Sequence, residues 1–214
     1  IAVKAALFSA PAEISGSGES GSASFDVTFG YTGDYSAAAH GLVPAMVTSD
    51  SVVQDPGQVF DPGDGFSNLH QFTLSGEAYF RIAMPPGATP NPNTDIDIFV
   101  FDPDGNFFAS STSGGTDELI DIVLPMDGTW DVWIHGWSVP DDVTTYNLYT
   151  WAISATPGGN LNIDSAPALA TSGSTETIDL SWTGATAGQW HLGAVSHSDG
   201  GGLLGLTLVN VDNR

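Results

Sequence analysis

Four aspartates stand close together in one stretch of this chain: Asp95, Asp97, Asp102 and Asp104. Asp95 and Asp97 alternate with Ile96 and Ile98, so in an extended segment both carboxylates leave the same face. The sequence Asp102-Pro103-Asp104-Gly105-Asn106 that follows has the composition of a tight turn. Hard oxygen donors grouped in this way suit calcium, which takes six to eight of them in loose geometry. The spacing is not that of an EF-hand, because the twelfth position counted from Asp102 is Ser113 rather than a bidentate Glu. The competing reading is a plain type I turn with solvated strand aspartates. A second acidic stretch, with Asp50, Asp55, Asp61 and Asp64, either completes a metal site or is a soluble loop.

The aromatic residues offer a different chemistry. In T-W-D-V-W-I-H-G-W (129–137) Trp130, Val132 and Ile134 share one strand face, while Asp131, Trp133 and His135 share the other. On the next alternating run Tyr146, Leu148 and Thr150 oppose Asn147, Tyr149 and Trp151. One set is core. The other, with Trp133, Tyr149 and Trp151, is either a second packing face or an exposed platform for an insoluble protein or a polysaccharide. Five histidines (His40, His70, His135, His191, His197) read as satisfied strand and turn residues. No nucleophile elbow, H-E-x-x-H or phosphate-cradling loop accompanies them.

Charge narrows the function classes. The chain has 3 Lys+Arg against 25 Asp+Glu, a formal net charge of −22 over 214 residues. Only Lys4, Arg81 and Arg214 are basic, which excludes phosphate neutralisation on DNA or RNA and attraction to an anionic membrane surface. Acidity with so little Lys also suits a salty habitat, where ions screen self-repulsion. No cysteine is present, so disulfides and thiolate metal sites are excluded.

The elements that must position these residues are strands. Of the acids, 20 are Asp and 5 are Glu, and Asp favours turns where Glu favours helices. With 26 Gly and 13 Pro between short apolar runs, the composition is that of an all-β chain, and 6 Trp with 11 Phe can fill its core. Strands are predicted at HQFTL, EAYFRIAM, DIDIFVFD, ELIDIVL, TWDVWIHGW and TYNLYTWAI, enough for a compact antiparallel sandwich or jelly roll over 48–154. Within it, 48–67 reads as a polar loop. The segment 161–212 carries four more strands: LNIDS, ETIDLSW, QWHLGAVSH and LLGLTLVNV.

An internal echo links the two ends. The stretch 21–43 (GSASFDVTFGYTGDYSAAAHGLV) and the stretch 173–195 (GSTETIDLSWTGATAGQWHLGAV) share a Gly-Ser opening, an alternating strand ending on an aromatic, a T-G turn and a small apolar strand. Two strands cannot bury an apolar face alone. Residues 11–47 plus 155–214 are therefore expected to co-fold as a second small immunoglobulin- or fibronectin-like sandwich, with 48–154 inserted. Residues 1–10 (IAVKAALFSA) read as the end strand of a preceding domain, and with no initiator Met the chain is expected to be an internal or processed piece.

The run TDIDIFVFDPDGNFFASSTSGGTDELIDIVLPMDGTWDVWIHGW (94–137) resembles the bacterial pre-peptidase C-terminal domain, with its D-x-D-L-Y-V-Y-D-P-x-G, S-x-x-G-G-T-x-E and P-x-x-G-T-Y-x-V-x-V-H-G patterns. With AHGLVPA, TPGGNL, LSWTG and LGAVSHSDGGGLLGLTLV around it, the chain resembles the C-terminal extension of secreted bacterial subtilisin-like serine proteases. That resemblance implies an extracellular location. It makes residues 1–10 the end of a fibronectin-III-like domain and gives the chain two partners: the catalytic domain of the same polypeptide and an insoluble protein substrate. It also carries over Asp95 and Asp97 as calcium ligands. None of the protease motifs D-[ST]-G, H-G-T or G-T-S-M-[AS] occurs, so this piece is expected to be non-catalytic, with peptide-bond hydrolysis carried elsewhere. The rival is a carbohydrate-binding or adhesive β-sandwich.

Overall fold

The computed structural model describes residues 7–214, and every regular element in them is a β-strand. The chain forms two compact units, 1–45 with 153–214 (unit 1) and 46–152 (unit 2). Unit 1 opens with β1 (Phe8–Ser9), β2 (Glu13–Gly16), β3 (Gly21–Phe29), β4 (Gly33–Asp34) and β5 (Ser36–Pro44). Unit 2 carries β6 (Met46–Val53), β7 (Ser67–Leu74), β8 (Glu77–Met84), β9 (Asp95–Phe101), β10 (Phe107–Ser111), β11 (Glu118–Val123), β12 (Gly128–Ser138) and most of β13 (Val143–Ser154). The chain then completes unit 1 with β14 (Leu161–Ser165), β15 (Leu169–Ala170), β16 (Thr175–Trp182), β17 (Trp190–Ser198) and β18 (Leu203–Asp212).

Unit 2 is a sandwich of two four-stranded sheets, β10-β9-β12-β7 and β11-β8-β13-β6. Their inner faces supply one core. Ile96, Ile98 and Val100 of β9 and Trp130, Val132 and Ile134 of β12 meet Phe80, Ile82 and Met84 of β8 and Tyr146 and Leu148 of β13. The period-two alternation dictates this directly, since each strand offers every second side chain to the interior. The expected polar loop over 48–67 is corrected in its first part. Met46–Val53 is strand β6, paired antiparallel with β13 from Val143↔Val53 to Thr150↔Met46. Its run of Thr, Ser and Asp hides the alternation, and an edge position with only Val52 in the core tolerates that composition.

Unit 1 pairs sheet β1-β3-β16-β14 with sheet β2-β18-β17-β5, and β4 with β15 form a short separate ladder. Phe25, Val27 and Phe29 of β3 and Ile178, Leu180 and Trp182 of β16 lead its core. Residues 8–9 belong here and not to a preceding domain: Phe8 pairs with Phe29, its ring lies 4.8 Å from that of His197, and it packs on this core. The remainder of the expected end strand, 1–6, lies outside the described residues. The other short strand near the start, β2, adds parallel to β18.

The two echoing segments lie side by side, β3 against β16 and β5 against β17. Aligning F-D-V-T-F with I-D-L-S-W matches Phe25 to Ile178, and these two residues face each other in the ladder. In the other sheet the β17–β5 register shifts between Leu192 and Ala194, where Gly193 meets Gly41. A Cβ on Gly193 would strike the Gly41 carbonyl oxygen and crowd Leu42 and Leu161 at 3.0 and 3.1 Å. Gly193→Ala should therefore destabilise the chain by about 1–3 kcal/mol. A lowered urea midpoint would show it, and an unchanged midpoint would mean the strands separate freely at this crossing.

Candidate functional site

The site is organised by His135, on the outer face of β12 and fully buried. Its Nε2 lies 3.0 Å from Asp55 Oδ2, and its Nδ1 lies 3.6 Å from Asp97 Oδ2. Asp97 comes from β9, the neighbouring strand, where it pairs directly with His135. Asp55 comes from the loop after β6, whose residues Asp55-Pro56-Gly57 form an Asx-type turn. Its Oδ1 accepts the Gly57 amide at 2.7 Å and its Oδ2 the Val59 amide at 2.8 Å.

Local irregularities bring the loop to the strand. The β12–β9 register shifts between His135 and Ser138, and such a bulge re-aims the side chains beside it. The Asp55 amide donates to the freed Gly136 carbonyl at 2.9 Å. Gly136 has no room for a side chain, because a Cβ there would strike the Val53 carbonyl. Gln54 Nε2 and Gln58 Nε2 both donate to the Trp137 carbonyl, at 3.0 and 3.1 Å. Gln58 takes a left-handed conformation to do so (φ 51°), a cost on the order of 1 kcal/mol that the docked loop repays. Phe60 of the same loop stacks on Phe99 of β9 at 3.9 Å between ring centroids.

The electrostatics follow from burial. Burial alone disfavours the imidazolium, yet Asp97 and Asp55 hold the His135 pKa above its ordinary value. For Asp55, burial works to raise the carboxyl, and the Val59 amide, His135 and the Gly57 amide together hold it below the usual range. Asp95 differs: burial pushes it up, the Gly115 amide opposes, and the nearby Asp97 charge pushes it further. Glu118 of β11 is likewise raised, by burial against the hydrogen bonds of Ser111 and Ser113, with Asp97 adding to the rise.

Beside this clamp lies a cavity of about 320 Å³ lined by Asp95, Asp97, Phe99, Thr112 and Trp137. The two strand aspartates thus do share a face and a cavity. Asp102 and Asp104 do not join them, since they stand beyond the far end of β9, roughly 20 Å away along an extended strand. Asp102 Oδ1 is spent on the turn, accepting the Asp104 and Asn106 amides at 3.0 and 2.8 Å, and Asp104 is exposed. Among the described residues no group of three or more acidic or histidine side chains is arranged to hold a metal. The predicted quartet therefore does not fit a calcium ion: two carboxylates fall far short of six oxygens.

The predicted aromatic platform divides in the same way. Trp133 is half-buried on the outer face of the β9–β12 sheet, its ring 6.3 Å from Phe60. Tyr149 and Trp151 stack at 6.3 Å on the outer face of the opposite sheet, and Trp151 is only 1 % exposed. Outer faces of opposite sheets point apart, so the three side chains form no common platform. The sequence reading missed the link between Asp55 and His135, 80 residues apart. Its only local signals are the D-P-G turn and the H-G pair ending the β12 motif.

Comparison with known proteins gives limited likenesses. No protein-family profile matches the chain. Pyrolysin from Pyrococcus furiosus is 25% identical over 150 residues, 65% of this chain but 10% of pyrolysin. The chain therefore spans about a tenth of the length of that curated relative. The pre-peptidase C-terminal domain of collagenase from Bacillus anthracis matches 50% of this chain and 89% of its own at 10% identity, with a TM-score of 0.37. The M60 catalytic domain with the CBM51-1 and CBM51-2 domains of ZmpB from Clostridium perfringens matches 91% of this chain and 26% of its own at 11% identity, with a TM-score of 0.32.

The clamp has a pH signature. Because the His135 pKa is raised on folding, its stabilisation is complete below the unfolded value of about 6.5 and is lost as pH rises through the folded value. The Asp55 contribution runs the other way, present above about 3.9 and lost as pH falls through its lowered value. His197, pushed down to about 4 by burial, also loses stability as pH falls below about 6.5, so the whole-chain profile mixes signs. The difference between wild type and His135→Gln isolates the clamp. The substitution should cost about 3–5 kcal/mol near pH 6 by leaving two buried carboxylates without their cation. Urea unfolding from pH 5 to 9 should show that gap narrowing on the alkaline side; a gap independent of pH would mean a neutral contact.

Proposed function

We propose that this chain is a non-catalytic β-sandwich module of an extracellular subtilisin-like serine endopeptidase, holding the enzyme on proteinaceous substrate and supporting its folding and stability. The observation that carries the reading is the 25% identity to pyrolysin over 150 residues. The side-chain chemistry supports the non-catalytic part. Among the described residues no histidine joins a serine or threonine hydroxyl to a carboxylate, the arrangement that activates a hydrolytic nucleophile. His40 meets Ser196 Oγ at 2.9 Å, but its other nitrogen meets the Ser154 carbonyl. His197 lies between Tyr35 and Thr207 hydroxyls, and His135 between two carboxylates.

The test is retention of the purified chain on insoluble collagen, keratin, elastin, chitin and cellulose, with calcium and with chelator. Retention on a protein matrix, unchanged by chelator, is the expected outcome. Retention confined to chitin or cellulose would replace this reading with a carbohydrate-binding module, and retention on none would leave the folding and stability role alone.

A further inference from the structure

The cavity beside His135 is short of positive charge. His135 lies between two carboxylates, Asp55 and Asp97, and Asp95 adds a third to the cavity wall. Asp95 keeps a buried Oδ1 with no hydrogen-bond donor. Glu118 of β11, 1 % exposed, also keeps an Oε2 without one. Buried polar atoms left in this way are uncommon and call for a partner. Both described arginines are committed elsewhere, Arg81 to Asp121 at 2.7 Å and Arg214 to Asp212 at 2.8 Å.

The walls indicate what kind of cation fits. A divalent metal needs a shell of hard oxygens, and aromatic faces are poor neighbours for so strongly hydrated an ion. A guanidinium or ammonium on an apolar stem is the opposite case: it accepts carboxylates at its edge, and an aromatic ring over its face adds attraction. Asp95 and Asp97 supply the carboxylates, Phe99 and Trp137 the rings, and about 320 Å³ is room for one long side chain. The Phe99 ring is held in advance by stacking on Phe60, and two glutamine donors on its carbonyl fix the backbone at Trp137. A chain with 3 basic residues also presents few competing ligands of its own.

We propose that this cavity binds an arginine or lysine side chain presented by a partner protein, with Asp95 and Asp97 accepting its hydrogen bonds and Trp137 lying against its charged end. The proposal names what a substrate-holding module would grip, and it rests on that reading only for the partner being the protease's substrate.

The full chain, nitrogen-15 labelled, is titrated by NMR with N-acetyl-arginine amide, N-acetyl-lysine amide and the neutral N-acetyl-glutamine amide. Salt near 0.15 M, where the Debye length is about 8 Å, suppresses attraction to the acidic surface at large. The two cationic amides should shift the Trp137 indole and the Phe99 and Thr112 amides, with dissociation constants on the order of 1 mM. Asp95→Asn and Trp137→Ala, both outside the buried clamp, should weaken binding about tenfold, a loss matching one charge-assisted contact. Asp104→Asn, at the far end of β9, should not. Well-dispersed spectra identify the variants that remain folded, and Trp137→Phe should restore part of the affinity.

Binding unchanged by Asp95→Asn or Trp137→Ala, or equal shifts with the glutamine amide, would overturn the proposal. So would calcium chloride moving these resonances while the amides do not, which would make the site one for a divalent cation. The matrix assay separates the two readings. Amide binding without wild-type retention would keep the cation site and discard substrate holding. Retention undiminished in a folded Asp95→Asn chain would keep substrate holding and discard this cavity as its grip.

Discussion

A carboxylate can be buried only where something compensates the water it loses, and Asp55 and Asp97 of unit 2 share one imidazole to that end. His135 stands between Asp55 and Asp97 with none of its surface exposed, and neither aspartate is accessible enough to rely on solvent. The consequence reaches beyond the three residues. Asp55 stands near the start of the loop that carries Gln58 and Phe60, so its contact with His135 helps to set where that loop lies. The loop in turn ties down the backbone at Trp137 and stacks on the ring of Phe99.

In unit 1 the organising constraint is backbone approach rather than charge. Trp182 occupies the space that side chains at Gly16 and Gly21 would fill, and Gly193 lies against the Gly41 backbone. Small residues at these positions let β3 and β16 in one sheet, and β5 and β17 in the other, come together as matched pairs. The match of Phe25 with Ile178, and of β1 beside β3 with β14 beside β16, gives that sheet an approximate twofold arrangement. A repeated strand-turn-strand segment can bury its face against its own copy, which explains why two stretches some 150 residues apart have similar alternation.

The all-β class was legible because period-two alternation survives wherever one face of a strand is core. FDVTF, DIDIFVF, ELIDIV and TWDVWIHGW each place alternate residues in the interior. It fades where that face is small or polar, and so most of β6 reads as a loop. The face shared by Asp95 and Asp97 could be read for the same reason. The partnership of Asp55 with His135 could not: it spans 80 residues and depends on a strand bulge and a left-handed Gln58, neither of which has a period. The supposed unity of Trp133, Tyr149 and Trp151 failed for a related reason. Alternation assigns a residue to a face of its own strand, and it cannot say which sheet that strand will join.

Composition and site then fit one argument. A chain carrying −22 formal charge repels itself, and most of its acids relieve this by facing water and salt. Asp97 and Glu118 do not have that recourse, because both are buried, and Asp95 is partly so, with both described arginines paired elsewhere. Two carboxylates on the wall of one cavity favour a positive group there over a neutral one. Phe99 and Trp137 complete the selection by favouring a weakly hydrated organic cation over a metal ion. Near-absence of Lys and Arg in the chain is what keeps such a site from being filled by its own surface or by a second copy.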